Sequence, residues 1–174
     1  MDSNIKTKSK QHRAKTVILI LTHSCNLSCS YCYEHHKNEE KMSVKMAKEI
    51  IEKEMLEQDG LDREFEFFGG EPFLEFEMVK ELYDFLENRT WDKRWIVQFT
   101  TNGVLVHGEI QKWLKERHDK IRLGLSADGT REMHNTNRSN SYDSIDFAFF
   151  AEMGTDIKMT VSTETLPHLS EAII

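Results

Sequence analysis

Proline occurs twice and cysteine three times in 174 residues, and all three cysteines fall between positions 25 and 32. With so little proline, no low-complexity tract and no sequence repeat, nothing marks a linker at which the chain would divide. Cysteine is too scarce and too clustered for a disulfide framework, because an odd set packed into one loop makes poor bridges. Long apolar runs are also missing. Thr16 to Thr22 is the longest, far below the roughly 20 residues that span a bilayer. The polar, Lys-rich start from Met1 to Lys15 lacks the apolar region of a signal peptide. The expected compartment is therefore the cytoplasm, where metal ligation is the leading use of clustered thiols. No wide basic field exists either. With 23 Lys plus Arg against 30 Asp plus Glu the formal charge is −7, which disfavours a nonspecific grip on nucleic acid or an anionic membrane. What is present is a globular composition, 39% hydrophobic, at a length that suits one domain with its own core. The expected organisation is a polar leader over residues 1–15 and one domain over residues 16–174.

Thr16 to Leu21 is a continuous, β-branched apolar run, the pattern of a strand covered on both faces. A loop from Thr22 to Met42 follows, then Ser43 as a helix cap, with Ala47, Ile50, Ile51 and Met55 at helical spacing. The unit recurs. Glu64 to Phe68 reads as a strand, Gly69-Gly70-Glu71-Pro72 as a turn, and Met78, Val79, Leu82, Phe85 and Leu86 as a helix face. Trp95 to Thr100, the turn Thr101-Asn102-Gly103 and the face Ile110, Trp113 and Leu114 make a third unit. Ile121 to Leu125 opens a fourth, with a turn at Ser126-Ala127-Asp128-Gly129 and a helix carrying Ile145, Ala148, Phe149 and Met153. Ile157 to Val161 is the expected fifth strand, before Leu169, Ala172 and Ile173 begin a last helix. This rhythm predicts an α/β fold: a partial (β/α) TIM-like barrel of about five parallel strands joined by right-handed crossovers. Functional loops then lie at the carboxyl ends of the strands. The unusual residues all follow a strand there, so independent loops converge on one rim and argue for a single site.

The run Cys25-Asn-Leu-Ser-Cys29-Ser-Tyr-Cys32 supplies three thiolates with C-x3-C-x2-C spacing. Three soft ligands leave one metal position open. A structural zinc site needs four protein ligands, which His23, His35 or His36 could complete. A 4Fe-4S cluster prefers thiolates, and three of them leave one iron free for an exogenous ligand.

With Tyr31 just before the last cysteine, this loop resembles that of the radical S-adenosylmethionine (SAM) superfamily. Three further motifs in the right order strengthen the resemblance. Gly69-Gly70-Glu71-Pro72 is similar to the family's GGEP loop, and Thr101-Asn102-Gly103 to its TNG turn. Ser126-Ala-Asp-Gly129 with His134-Asn-x-x-Arg138 resembles the S-x-D-G and H-D-x-x-R segments of peptide and protein maturases, such as anaerobic sulfatase maturases; Asn135 departs from their Asp. The resemblance implies a 4Fe-4S cluster on Cys25, Cys29 and Cys32, SAM on its open iron, and a 5'-deoxyadenosyl radical that abstracts a substrate hydrogen. It implies that Gly69, Gly70, Glu71 and Pro72 hold the methionine end, with Glu71 accepting from the ammonium. Thr101 and Asn102 are implied as further contacts, Ser126 as a contact to ribose or carboxylate, and Tyr31 as a partner for adenine. The implied partners are a peptide or protein substrate and a reductant such as flavodoxin or ferredoxin, with neither nucleic acid nor membrane.

Each motif also has a plainer reading. Gly-Gly and Asn-Gly are common turns, Ser126 and Asp128 could cap a helix, and Arg138 could be a solvated charge. The relatives implied by the motifs usually continue through a sixth strand into a cysteine-rich domain, whereas no cysteine follows Cys32 here. A fragment, a reduced member of the family, an inactive remnant and a noncatalytic metal-binding module are the corresponding expectations.

Overall fold

In the computed structural model, residues 13–34 and 37–172 are described. Five strands, β1 (Ala14–Thr22), β2 (Asp62–Gly69), β3 (Trp95–Thr101), β4 (Ile121–Ser126) and β5 (Asp156–Lys158), form one sheet in the order of the sequence. Every pair is parallel. Between them run α1 (Val44–Leu56), α2 (Phe76–Glu87), α3 (Glu109–Glu116), and, both in the fourth crossover, α4 (Arg131–Asn137) and α5 (Phe147–Glu152). A short α6 (Leu169–Ala172) closes the described chain. Crossovers of one hand between sequential neighbours put every helix on the same face, so the sheet curls into a barrel segment with its other face open.

The core lies between that helical layer and one face of the sheet. Leu19, Leu21, Phe65, Phe67, Val97, Phe99 and Leu125 point into it, against Ala47, Ile51, Val79, Leu82, Leu86 and Leu114. Phe99 is central, stacked on Phe73 at 5.0 Å and edge-on to Phe67 at 5.6 Å. The helix faces agree with the apolar spacing, and Ser43 caps α1 by accepting from the Met46 N–H, a contact of about 1 kcal/mol.

Three expectations are corrected. First, β1 is covered on one face only. Leu19 and Leu21 are buried while Ile18 and Ile20 are 58% and 45% exposed, because they face the open barrel interior. Second, β5 is shorter and starts earlier than Ile157 to Val161. The Thr160 N–H donates to the Asp128 carboxylate at 2.9 Å rather than to a neighbouring strand, and this peels the chain off the ladder. Third, the helix expected to carry Ile145, Ala148, Phe149 and Met153 is shorter: α5 holds Ala148 and Phe149, while Ile145 precedes it and Met153 is its C-cap, and a separate helix, α4, capped by Thr130, fills the chain before it. β1 also begins at Ala14, two residues earlier than expected; residues 1–12 and Ile173 lie outside the described residues.

At the amino-terminal end of the strands the wholly buried Arg63 side chain binds Glu54 at 3.1 Å and Asp59 at 2.7 Å. This ion network ties the α1–β2 turn to the sheet, at the end of the barrel opposite the cysteines. No helix among the described residues is long and apolar enough to cross a membrane.

Candidate active site

The cysteine loop leaves β1 and returns alongside it. Met42 N–H donates to the Leu21 carbonyl and His23 N–H to the Glu40 carbonyl, closing the loop at its base. Two glycines at the end of β2 let this segment press against it: the Gly70 N–H donates to Thr22 O and the Glu71 N–H to Ser24 O, both at 2.9 Å. A Cβ on Gly69 would stand 2.2 Å from Thr22 O, and one on Gly70 2.2 Å from Ser24 O. Gly69 also holds a φ of 147°. Neither position therefore accepts a side chain without displacing the cysteine loop.

The far side of the loop is held by α4. Ser30 N–H donates to Asn137 O at 2.9 Å and Ser28 N–H to Ser139 Oγ at 2.9 Å. The hub of this contact is Asp128, which is fully buried. Its carboxylate accepts from the Tyr31 hydroxyl at 2.6 Å, Arg138 Nε at 2.9 Å, Asn137 Nδ2 at 3.2 Å and Thr160 N at 2.9 Å. The Arg138 guanidinium lies 5.3 Å from the Tyr31 ring centroid. Burial and the Asp128 contact push the Tyr31 phenol up, so it stays protonated and donates. His134 Nδ1 accepts from the Asp128 N–H, and Nε2 meets Ser141 Oγ at 3.0 Å. Burial lowers its pKa to about 4, with Arg138 adding to the effect. His134 is thus a neutral brace at pH 7.

Glu71 is placed differently from the expectation that it accepts an ammonium from a ligand. It is 1% exposed and turns inward, accepting from Thr101 Oγ1 at 2.8 Å, Asn102 N at 2.9 Å and Phe73 N at 3.2 Å. Those donors favour the carboxylate, but burial outweighs them and lifts its pKa to about 7. Between its unfolded value and about 7, the folded protein holds a proton that the unfolded chain has released. Stability is thus expected to fall as pH rises through that window, by about 3 kcal/mol in all. Urea unfolding from pH 5 to 8 checks this against Glu71→Gln, whose side chain does not titrate. The wild type should lose stability relative to the variant; parallel curves would mean that the buried carboxyl is ionised throughout.

One cavity of about 390 Å³ gathers Cys25, Cys29, Cys32, Tyr31, Gly69, Gly70, Asn102, Ser126 and Arg138 at the carboxyl ends of β1 to β4. That is within the usual range for a small-molecule site. Glu71, Pro72 and Thr101 stand behind this wall and are not on it. Thr100, Phe68, Lys37 and Thr160, not singled out by the motifs, are on it. Below it, Lys158 reaches across the side-chain-free Gly124 to Thr100 Oγ1 at 2.7 Å, and Thr100 donates to Glu66 at 3.0 Å.

All three thiols are free and half-buried. Burial pushes the Cys25 and Cys29 thiols up, so an incoming metal group must displace their protons. Among the described residues no three His, Cys, Asp or Glu side chains converge on a single metal ion. His23 lies apart, in a surface groove with Ile20 and Met46; His35 and His36 lie outside the described residues. Three thiols that share a cavity without converging on one point fit a body larger than one ion, and the soft, all-sulfur donor set fits an iron–sulfur cluster.

Residues 19–148 match the family described as the radical SAM superfamily. An uncharacterised protein of Methanocaldococcus jannaschii is 28% identical over 167 residues, 91% of this chain and 57% of that protein. A cysteine-type anaerobic sulfatase-maturating enzyme of Clostridium perfringens is 34% identical over 125 residues, 67% of this chain and 33% of the enzyme. Native anSMEcpe with bound AdoMet and a peptide superposes with a TM-score of 0.77 at 25% identity, over 90% of this chain and 46% of that one. The chain thus spans between a third and three fifths of the length of these relatives.

Proposed function

Since the chain belongs to the radical SAM superfamily, we propose that it holds a 4Fe-4S cluster and SAM in the cavity beneath its cysteine loop and modifies a peptide or protein side chain. The observation that carries this reading is the meeting of the three thiols with residues of the β2, β3 and β4 loops on one cavity wall. When bound, the cluster would supply one electron that splits SAM into methionine and a 5'-deoxyadenosyl radical, which would take a hydrogen atom from the substrate.

The chain's own residues position and shield. Cys25, Cys29 and Cys32 would ligate three of the cluster's irons and leave one without a protein ligand. Gly69 and Gly70 let the methionine end of SAM lie against backbone, while Glu71 and Pro72 behind them fix the turn. Ser126 faces the ribose or carboxylate, Tyr31 the adenine, and Thr101 supports Asn102 at the rim. A peptide enters through the open face of the sheet. There Lys158 and Glu66 offer one donor and one acceptor, a pair suited to a main-chain amide. The reductant is a small electron carrier such as flavodoxin or ferredoxin, and the compartment a reducing one.

Anaerobic reconstitution followed by iron and sulfide assay, electron paramagnetic resonance and incubation with SAM and dithionite tests the reading. About four irons per chain, a reduced-cluster signal and release of 5'-deoxyadenosine are expected. Stoichiometric zinc with no cluster signal would sink it in favour of a noncatalytic metal-binding module.

A further inference from the structure

Of the three cysteines, Cys25 alone among the described residues accepts hydrogen bonds at sulfur. One comes from the Leu27 N–H at 3.5 Å and the other from Asn102 Nδ2 at 3.8 Å. The second comes from the turn after β3, 77 residues away. Its amide has only one sensible orientation. Asn102 Oδ1 accepts from the Val104 N–H at 3.0 Å, which forces the NH2 group toward the cysteine loop, where it also donates to Asn26 Oδ1 at 2.8 Å. Asn102 is 7% exposed, and its own N–H is clamped by the buried Glu71 carboxylate. The donor is therefore held by packing and hydrogen bonds at both ends of the residue.

We infer that Asn102 is a positioning residue for the cluster, donating to the Cys25 thiolate and thereby raising the cluster's reduction potential. The inference rests on the function proposed above. A donor aimed at a ligating sulfur stabilises the more electron-rich, reduced cluster more than the oxidised one, and hydrogen bonds to sulfur are among the levers that set these potentials. Low exposure strengthens the effect, because water does not compete for the amide. The asymmetry matters too: the Cys29 and Cys32 sulfurs carry no such donor among the described residues, so the electron-accepting character is biased toward the Cys25 side, where the β3 turn meets the cavity.

The test uses the whole chain, reconstituted anaerobically, as wild type, Asn102→Ala and Asn102→Asp. Asp keeps the size and the acceptor for Val104 while removing the donor. Iron content, melting temperature and the midpoint potential from a dithionite titration followed by electron paramagnetic resonance are measured on each. Both variants should bind iron. At the wild-type midpoint the Ala variant should show an oxidised-to-reduced ratio about tenfold higher, a downward shift of about 59 mV for a one-electron couple. Asp should shift further the same way, because it adds negative charge. Iron-loaded variants with an unchanged midpoint, whatever their melting temperature, would reduce Asn102 to a structural brace and overturn the inference. So would variants that bind no iron, which would make Asn102 a requirement for assembly. A wild type that binds no cluster overturns the proposed function itself, and the inference with it.

Discussion

Replacing any one of Cys25, Cys29 and Cys32 by Ala is expected to abolish the four-iron cluster, with iron content and SAM cleavage falling to background. The chain has no fourth cysteine to substitute for the lost ligand. The described imidazole nearest to the three cysteines in sequence, His23, does not line the cavity, and its Nδ1 lies 3.5 Å from Glu34. With two thiolates the cluster would expose two irons, and the site differentiation that leaves one iron for SAM would be lost. The fold should survive, since the three side chains are half-buried on a loop and stand apart from the helix-side core. Circular dichroism and melting of the metal-free variants should match the metal-free wild type. Iron near four per chain in any single variant would show that the thiols are not the ligands.

Asp128→Ala should damage the protein differently, by unfolding the frame around the site. Removing that carboxylate leaves the Arg138 guanidinium, 7% exposed, without its ion-pair partner. A buried charge left unpaired costs about 3 to 5 kcal/mol. The Tyr31 hydroxyl and the Thr160 N–H lose their acceptor as well. For a chain of this size a loss of that order lowers the melting temperature by about 10 °C or more. Asp128→Ala combined with Arg138→Met should recover part of the loss, because no unpaired charge then remains. A single variant that melts with the wild type would show that the frame around the site stands without the Asp128 carboxylate, held by contacts such as Ser30 N–H to Asn137 O and Ser28 N–H to Ser139 Oγ.

These two experiments separate what is local from what is not. The cysteine loop, the Gly69-Gly70 turn and the Thr101-Asn102-Gly103 turn can be found by eye because each is a short run whose spacing is its function, and each follows an apolar strand. The helix faces of α1 to α3 are legible for a similar reason: period 3.6 marks the side that packs. β2 carried a further signal. Glu64-Phe65-Glu66-Phe67 alternates, which marks a strand buried on one face and predicts the open barrel interior that the apolar run of β1 conceals.

Local pattern thus sets the strand–helix rhythm, the parallel order implied by it, and the rim on which the thiols and glycines assemble. Packing between elements sets the rest: Glu71 turns its carboxylate away from the cavity, Asp128 is a buried hub, Lys158 crosses Gly124, and Asn102 reaches Cys25. Tyr31 and Asp128 are 97 residues apart, and Asn102 and Cys25 are 77 apart. Periodicity reports which side of its own element a residue occupies; it carries no information on which residue of another element stands opposite. That choice follows from strand register and from the competition of every buried donor for an acceptor, which is settled only when all five strands are in place.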